Sequence, residues 1–185
     1  MTGAIFNFDA LILLFIQEHL RNEFLDPLVV FITRLGDNGI MWILLSLALL
    51  IPKKTRGGGF ETLMCLLLAF LINDLILKDL FARIRPYELI EGLTILVPPE
   101  TSFSFPSGHT NASFACATAL TLSFGKKGAW AYIPAAAISL SRLYVGVHYP
   151  TDVLGGILVG TLAAFAAHYL LKRFLKANLI SKDKT

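Results

Sequence analysis

Long apolar runs alternate with short polar blocks along this chain of 185 residues. A helix needs about 20 mostly apolar residues to cross a bilayer. Four runs approach that length, and a fifth is shorter and would have to include upstream residues. The pattern therefore predicts an all-α integral membrane protein, a bundle of five to six transmembrane helices. The predicted spans cover residues 60–77, 107–124, 129–147, 151–171 and, for the short run, 39–51.

The first 35 residues give a weaker pattern. Residues 11–16 are apolar, but Asp9 and Arg21 flank them. A helix lying at the membrane interface fits this pattern, and a sixth span over residues 5–20 is the alternative. We interpret the chain as one domain in three parts, which are the segment 1–35, a helix bundle 36–175 and a tail 176–185.

The composition supports a membrane location. Hydrophobic residues make up 55% of the chain and the mean hydropathy is +0.66, which is more apolar than an ordinary soluble domain. Cys65 and Cys116 lie in apolar runs without C-x-x-C spacing, so we interpret them as buried hydrophobes rather than a disulfide or a metal site. The net charge of +3 comes from basic residues gathered at a few places, and no nucleic-acid partner is predicted.

Basic residues between the spans predict the orientation of the chain. The positive-inside rule assigns such clusters to the cytoplasm. The connections 79–106 and 148–151 then lie on the extracytoplasmic face of the cell membrane. The basic clusters are Lys53, Lys54 and Arg56; Lys126 and Lys127; and Lys172, Arg173, Lys176, Lys182 and Lys184.

Three polar blocks, at residues 78–86, 106–109 and 141–152, interrupt the apolar background. Charges in or beside hydrocarbon are costly and are usually functional. The blocks are far apart in sequence, yet the predicted orientation brings all three to the outer face. A random scatter of polar residues would not be expected to do that.

The first block contains two cations seven residues apart. Lys78 and Arg85 would share one face if the helix persisted to Arg85, where Pro86 would end it. Asp74 lies four residues before Lys78 and is expected to pair with it. Arg83 lacks such support, and we interpret it as extending towards the lipid headgroups.

The second block suits the start of a helix. Pro106 and Ser107 are typical of that position, and the exposed N–H groups of a helix start bind phosphate. Gly108 allows the backbone to approach an oxygen closely, and His109 could protonate a leaving oxygen. A helix cap with an interfacial histidine is an equal alternative for this block alone.

The third block combines an arginine, a histidine and a carboxylate. Arg142 lies about 9 Å deeper along a helix than His148, and its planar fork suits two phosphate oxygens. Asp152 could hold one imidazole nitrogen and leave the other as a nucleophile. A capped turn, in which Pro150 breaks the helix and Asp152 caps the next, is the alternative, and both can hold together.

These blocks resemble the motif set of the type-2 phosphatidic acid phosphatase family, K-x6-R-P, P-S-G-H and S-R-x5-H-x3-D, without a departure at any signature position. The chain is similar to its small bacterial members. The resemblance implies the phosphatase/haloperoxidase-like helical core, no metal and no cofactor. It implies His148 as the nucleophile that forms a phosphohistidine, Asp152 as its orienting partner and His109 as the acid. The implied phosphate-binding residues are Lys78, Arg85, Ser107, Gly108 and Arg142.

The resulting hypothesis is a membrane phosphatase whose lipid substrate comes from the bilayer. Undecaprenyl pyrophosphate, phosphatidylglycerophosphate and phosphatidic acid are the candidate substrates. Haloperoxidases share the phosphate cradle but are larger soluble proteins. A transporter or scaffold with a vestigial anion site would predict loss of His148, Asp152 or His109, and all three are present. In the last span, Gly156 and Gly160 predict close helix packing, within the bundle or, alternatively, in a homodimer.

Overall fold

The computed structural model of the chain describes residues 3–182, with side chains for residues 3–174, and this part is helical without strands. A 3-10 turn, Asp37–Gly39, joins α2 to α3, and a π-helical turn, Asn73–Leu77, joins α4 to α5. The helices are α1 (Gly3–His19), α2 (Leu25–Leu35), α3 (Ile40–Leu50), α4 (Arg56–Ile72), α5 (Lys78–Phe81), α6 (Pro86–Leu89), α7 (Gly108–Phe124), α8 (Lys126–Ala129), α9 (Tyr132–Tyr144) and α10 (Pro150–Lys182).

Helix α7 forms the centre of the bundle and packs against α4, α9 and α10. Its buried face consists largely of small residues, which allow close approach of helices in a membrane. A Cβ at Gly160 would lie 2.2 Å from the carbonyl oxygen of Asn111, and one at Gly156 would lie 2.7 Å from that of Ser107. The two glycines therefore pack α10 onto α7 within one chain, which is the predicted alternative of close packing within the bundle.

The outer surface of the bundle carries many exposed leucine and phenylalanine side chains. By length and composition, the stretches Arg56–Leu89 and Pro150–Phe174 suffice to cross a membrane, and Leu25–Leu35 with Asp37–Leu50, bent by 49°, makes a third. The all-α membrane bundle with about six main helices is thus confirmed. The division of the chain at residues 35 and 175 stays a prediction.

Helix α1 packs onto the bundle against α9 and α10. Leu13 is fully buried and belongs to the hydrophobic cluster that contains Tyr149 and Val153. Asp9, one helical turn earlier, is also fully buried. The N-terminal segment therefore touches the region of the third polar block.

The chain leaves the helical path between Lys78 and Arg85. Helix α5 ends at Phe81, and Ala82 follows in the left-handed conformation with φ 43°. Arg85 is extended, and Pro86 starts α6. The condition for Lys78 and Arg85 to share a helix face, a helix that persists to Arg85, is not met, because the left-handed residue turns the backbone away. This turn directs Arg85 back towards the third block.

Candidate active site

His148 and Asp152 lie at the turn between α9 and α10. Pro150 starts α10, so Asp152 stands in the first turn of that helix. Its Oδ2 accepts a hydrogen bond from the backbone N–H of Tyr149 at 2.9 Å and lies 3.4 Å from Nδ1 of His148. Both side chains of the pair are buried. Asp152 therefore accepts the bond of a helix cap and also faces the imidazole, so the predicted capped turn and the predicted contact with His148 occur together.

The second nitrogen of His148 faces a guanidinium group. Nε2 lies 3.2 Å from Nη1 of Arg85. Because arginine only donates, we assign Nε2 as the unprotonated nitrogen and Nδ1 as the donor towards Asp152. The turn lies outside the flanking helices, and burial there lowers the pKa of His148 to about 4 against the opposing effect of Asp152. At neutral pH the lone pair of Nε2 therefore accepts a hydrogen bond from this fixed cation.

Lys78 and Arg85 meet at one hydroxyl group. Nζ of Lys78 donates to Oγ of Ser102 at 3.1 Å, and Nη2 of Arg85 reaches the same oxygen at 3.2 Å. The carbonyl oxygens of Ser102 and Val147 accept further bonds from Arg85 at 2.9 and 3.0 Å. Asp74 pairs with Lys78 at 2.7 Å, as the spacing predicted. The two cations converge although no continuous helix carries them.

The carboxylate of Glu100 stands between Arg85 and Arg142. Its Oε2 accepts from Nη2 of Arg85 at 2.6 Å, and its Oε1 accepts from Nη2 of Arg142. Arg142 also donates to Oγ1 of Thr33 at 2.6 Å, while its Nε has no partner among the described residues. Burial alone raises the pKa of Glu100, but Arg142, His148 and Arg85 outweigh it and lower that pKa to about 2. Glu100 is therefore an anion that bridges two arginines.

The second block joins the same region at the start of α7. Nε2 of His109 lies 2.9 Å from Oδ1 of Asp37. Gly36 leaves room for this imidazole, since a Cβ there would stand 2.6 Å from its Cδ2. A Cβ at Gly108 would lie 3.5 Å from Nζ of Lys78. The helix start is therefore adjacent to a cation of the first block.

Ser107 links the second block to the third. Its backbone N–H donates to the carbonyl oxygen of Asp152 at 3.1 Å, and its Oγ accepts from Oγ1 of Thr110 at 3.1 Å. The side chain is fully buried. In this arrangement Ser107 holds the start of α7 against the start of α10.

Arg83 corrects the sequence-based interpretation. Instead of extending towards headgroups, its side chain is only 10% exposed. Nη1 donates to Oδ1 of Asp152, and Nη2 donates to Oδ2 of Asp9 at 2.8 Å. The guanidinium also lies 3.7 Å from the ring centroid of Tyr149. Two buried carboxylates draw this arginine inward once Ala82 has turned the chain.

A cavity of about 750 Å³ extends from the polar residues into the apolar bundle. Lys78, Glu100 and His109 line its polar end. The apolar part is formed by side chains of α3 and α4, which are Ile43, Leu63, Leu66, Leu67 and Phe70. A phosphate group on an apolar chain matches this distribution of polar and apolar walls.

The structure brings the sequence-predicted site residues into one region, but several of their partners were not expected. Asp9 had a signal, because a carboxylate beside an apolar run is costly. Thr33 and Glu100 had no recognisable pattern around them. No group of three or more His, Cys, Asp or Glu in the described part of the chain is placed to hold a metal ion.

A buried histidine–aspartate pair beside converging cations, set in an apolar helical bundle, is the arrangement of a membrane phosphatase. The chain belongs to the PAP2 superfamily, whose sequence model matches residues 60–176. It is similar to the undecaprenyl-diphosphatase of Sulfolobus acidocaldarius, with 34% identity over 143 residues that cover 76% of this chain and 68% of the relative. The family resemblance and the predicted phosphatase activity are thereby confirmed.

Solved structures agree with this assignment. The fold matches a transmembrane PAP2-type phosphatidylglycerolphosphate phosphatase from Bacillus subtilis with a TM-score of 0.75 and 28% identity, covering 93% of this chain and 88% of that one. It also matches a bacterial vanadium-dependent iodoperoxidase with a TM-score of 0.70 and 16% identity, covering 89% and 48% of the two chains. The second likeness concerns the fold alone and confirms the core shared with haloperoxidases.

Proposed function

We propose that this phosphatase hydrolyses a phosphomonoester or pyrophosphate of a membrane lipid through a phosphohistidine at His148, without a metal ion. One observation carries the proposal: Nδ1 of the buried imidazole faces Asp152, while Nε2 faces Arg85. A nucleophile held by a carboxylate and directed at a cation is arranged to attack a bound phosphate. The alternative of a transporter or scaffold does not explain this pairing.

Binding of the phosphate uses the three cations. Lys78, Arg85 and Arg142 converge within reach of one another, and Gly108 opens the start of α7 beside them. A phosphate in this cradle takes the position between the two arginines that the carboxylate of Glu100 fills. Charge-assisted bonds from guanidinium forks hold and orient its oxygens. The orphan N–H of Arg142 supplies one further donor.

Phosphoryl transfer then proceeds in two steps. In the first, Nε2 of His148 forms a bond to phosphorus, and the bond from phosphorus to the leaving oxygen breaks. His109 gives its proton to that oxygen, which departs as a lipid alcohol or a lipid monophosphate. Asp152 stabilises the positive charge that develops on the imidazole.

In the second step, water replaces the histidine. His109, now neutral, accepts a proton from the water as its oxygen attacks phosphorus. The bond between phosphorus and Nε2 breaks, and inorganic phosphate leaves with His148 restored. Arg85 and Arg142 offset the charge on the phosphoryl oxygens in both steps.

The apolar part of the cavity supports a lipid as the substrate. A chain packed against Phe70 and the leucines of α4 would leave its phosphate at the polar end, near Lys78 and His109. Undecaprenyl pyrophosphate, phosphatidylglycerophosphate and phosphatidic acid all present this combination. The relatives described above, which are named for the first two of these lipids, support the same choice.

The activity is tested by phosphate release from these three lipids with a chelator present. We expect release by the wild-type protein on at least one lipid and none by His148→Ala. His19→Ala, at an exposed histidine, serves as the matched control and should behave as wild type. Equal rates for wild type and His148→Ala on every lipid would refute the phosphatase mechanism, and loss of activity with chelator would refute metal independence.

The roles of the two histidines are separated by trapping. With a lipid carrying labelled phosphate, His109→Ala should accumulate an acid-labile phosphohistidine. We expect phosphoryl transfer to His148 to remain faster than hydrolysis of the phosphohistidine, which is slowed without His109. His148→Ala should give no labelled protein. Label retained in His148→Ala would assign the nucleophile to another residue.

We also propose that the site faces the extracytoplasmic side of the cell membrane, as the basic clusters predict. The test uses an impermeant thiol reagent on intact cells, since Cys65 and Cys116 are buried. Glu91→Cys, at an exposed position of the outer loop, should be labelled, and Lys54→Cys should react only after lysis. The reverse pattern would invert the proposed orientation.

A further inference from the structure

Glu100 occupies the position that the proposed function requires for the phosphate of the substrate. Its two carboxylate oxygens accept hydrogen bonds from Arg85 and from Arg142. A phosphate would present oxygens to the same two guanidinium groups. Because Glu100 remains ionised at neutral pH, it competes with phosphate in charge as well as in shape.

The same carboxylate separates the cavity from the nucleophile. Glu100 lines the cavity, whereas Arg85, Arg142 and His148 do not and are only 1%, 2% and 1% exposed. All four residues lie in the described part of the chain. A phosphate that arrives through the cavity therefore meets Glu100 before Nε2 of His148. Reaction requires the carboxylate to leave the two arginines.

The location of Glu100 permits this departure. It lies on the connection between α6 and α7, outside any helix, and its side chain is 28% exposed. The adjacent Thr101 and Ser102 are exposed. Loop segments of this kind move at a lower free-energy cost than packed helices. Thr101 makes no hydrogen bond to the described part of the chain, so Glu100 and Thr101 can shift outward while Ser102 keeps its bonds to Lys78 and Arg85.

We infer that Glu100 is a specificity-determining residue, an internal anion that restricts the enzyme to phosphates carrying an apolar chain. This inference rests on the proposed function and names how its site selects a substrate class. Binding energy from remote parts of a substrate can be used for changes at the reacting centre. A lipid chain that fills the apolar part of the cavity supplies the energy that displaces Glu100.

A soluble phosphate lacks this contribution. A short phosphate ester or inorganic phosphate makes contacts only at the polar end, where it competes with the tethered carboxylate of Glu100. A tethered group has a high effective concentration at its site. Soluble phosphates, although small enough for the cavity, are therefore excluded from His148, and release of the inorganic phosphate product is favoured.

Substitution of Glu100 by glutamine tests this inference. Glutamine keeps the size but loses the charge, and its amide nitrogen cannot accept a bond from either arginine. We expect kcat/KM for p-nitrophenyl phosphate to rise about tenfold relative to kcat/KM for phosphatidic acid in mixed micelles, as loss of one charge-assisted bond implies. The inhibition constant of inorganic phosphate should fall by a similar factor.

Glu91→Gln is the matched control, because Glu91 is an exposed residue of the same loop. It should leave both the substrate ratio and the inhibition constant unchanged. The inference would be overturned if Glu100→Gln kept the wild-type ratio of kcat/KM values for the two substrates and the wild-type inhibition constant of inorganic phosphate. If neither wild type nor Glu100→Gln released phosphate from any lipid, the proposed function itself would be wrong. That outcome differs from an active enzyme with an unchanged substrate ratio, so the two failures are distinguishable.

A second measurement avoids the substitution at Glu100. A spin label at Thr101→Cys, in the His148→Ala background, reports movement of the loop without turnover. Saturating phosphatidic acid should increase the mobility of the label, whereas p-nitrophenyl phosphate at the same concentration should not. An unchanged spectrum at saturating phosphatidic acid would show that Glu100 stays in place, and the inference would be wrong.

Discussion

Two arginine–carboxylate clusters flank the imidazole of His148, and they differ in access. The Asp152 cluster, on the Nδ1 side, consists of Asp9, Arg83, Ser104 and Asp152. The Glu100 cluster, on the Nε2 side, consists of Arg85, Glu100, Ser102 and Arg142. Both carboxylates of the first cluster are fully buried, whereas the single carboxylate of the second is partly exposed and lines the cavity.

The difference in access follows from which elements carry the carboxylates. Asp9 and Asp152 belong to α1 and α10, which pack against each other, and Asp152 accepts four bonds, including one from Ser104. Glu100 belongs to a loop. Two arginines hold its carboxylate, and its carbonyl oxygen accepts a bond from the hydroxyl of Tyr87 at 3.2 Å. Buried, fully bonded networks are rigid, and in the proposed mechanism the first cluster positions the nucleophile. The second cluster is the one that we propose exchanges its carboxylate for a phosphate.

The largest effect is expected at the centre of the Asp152 cluster. Asp152→Asn should lower kcat by about 10³-fold or more, because the amide no longer fixes the imidazole tautomer or stabilises its charge. KM should change little, since the phosphate cradle is on the other side. Steady-state hydrolysis and phosphohistidine formation measure this, with the exposed Asp79→Asn as control. An unchanged kcat would remove Asp152 from the mechanism.

The next effect concerns the cradle. Arg142→Lys keeps the charge but loses the fork that contacts two partners. We expect kcat/KM to fall by about 10- to 100-fold, the effect of losing one charge-assisted hydrogen bond. The loss should appear in both KM and kcat, because Arg142 binds the phosphate and offsets its charge in the transition state, whereas Asp152→Asn should change kcat alone. The control is Arg56→Lys, at an exposed arginine, which should keep wild-type values. Wild-type values for Arg142→Lys as well would show that Arg142 has no role in binding.

A smaller effect is expected at Asp9, another carboxylate of the Asp152 cluster. Asp9, Arg83 and Asp152 together carry one net negative charge facing His148. Asp9→Asn cancels it, so the positive charge that develops on the imidazole is less stabilised. We expect kcat to fall about tenfold, since one charge-assisted bond is lost, with an unchanged KM. Glu18→Gln, on the same helix, is the control, and a change confined to KM would contradict this role.

The smallest catalytic effect is expected far from both clusters. Glu61 on α4 pairs with His168 on α10, and Ser123 donates to the same carboxylate at 3.0 Å. Glu61→Gln should lower the melting temperature, because a contact between partly buried polar side chains is weakened, but should leave kcat/KM unchanged. A thermal unfolding assay beside the phosphatase assay checks both values. A large loss of kcat/KM would mean that charge pairs anywhere in the bundle affect catalysis.

Much of the fold and of the site could be predicted from short-range patterns. Apolar runs of the right length predict membrane helices, and the four-residue separation of His148 and Asp152 predicts their pairing. The spacing of Asp74 and Lys78 predicted an ion pair that the structure contains. In each case residues close in sequence, or a composition averaged over a run, carry the relevant physics.

Other contacts could not be predicted in this way. Arg83 was misinterpreted because the partners that bury it come from α1 and α10, about 70 residues away on either side. Glu100 was overlooked because nothing in its surrounding sequence distinguishes a loop carboxylate that faces solvent from one that faces two arginines. Whether the helix persists to Arg85 was left open by the sequence, and the helix ends before Ala82, whose left-handed conformation no residue preference indicates.

The sequence by itself determined the class of this protein, since its motifs and apolar runs define a membrane phosphatase of the PAP2 superfamily. Only the tertiary structure decided which charges meet. The packing of α1 and α10 encloses the Asp152 cluster, and the loop before α7 places Glu100 between Arg85 and Arg142. Electrostatic energy depends on distance and burial, and both are properties of the folded chain that its residue types do not specify.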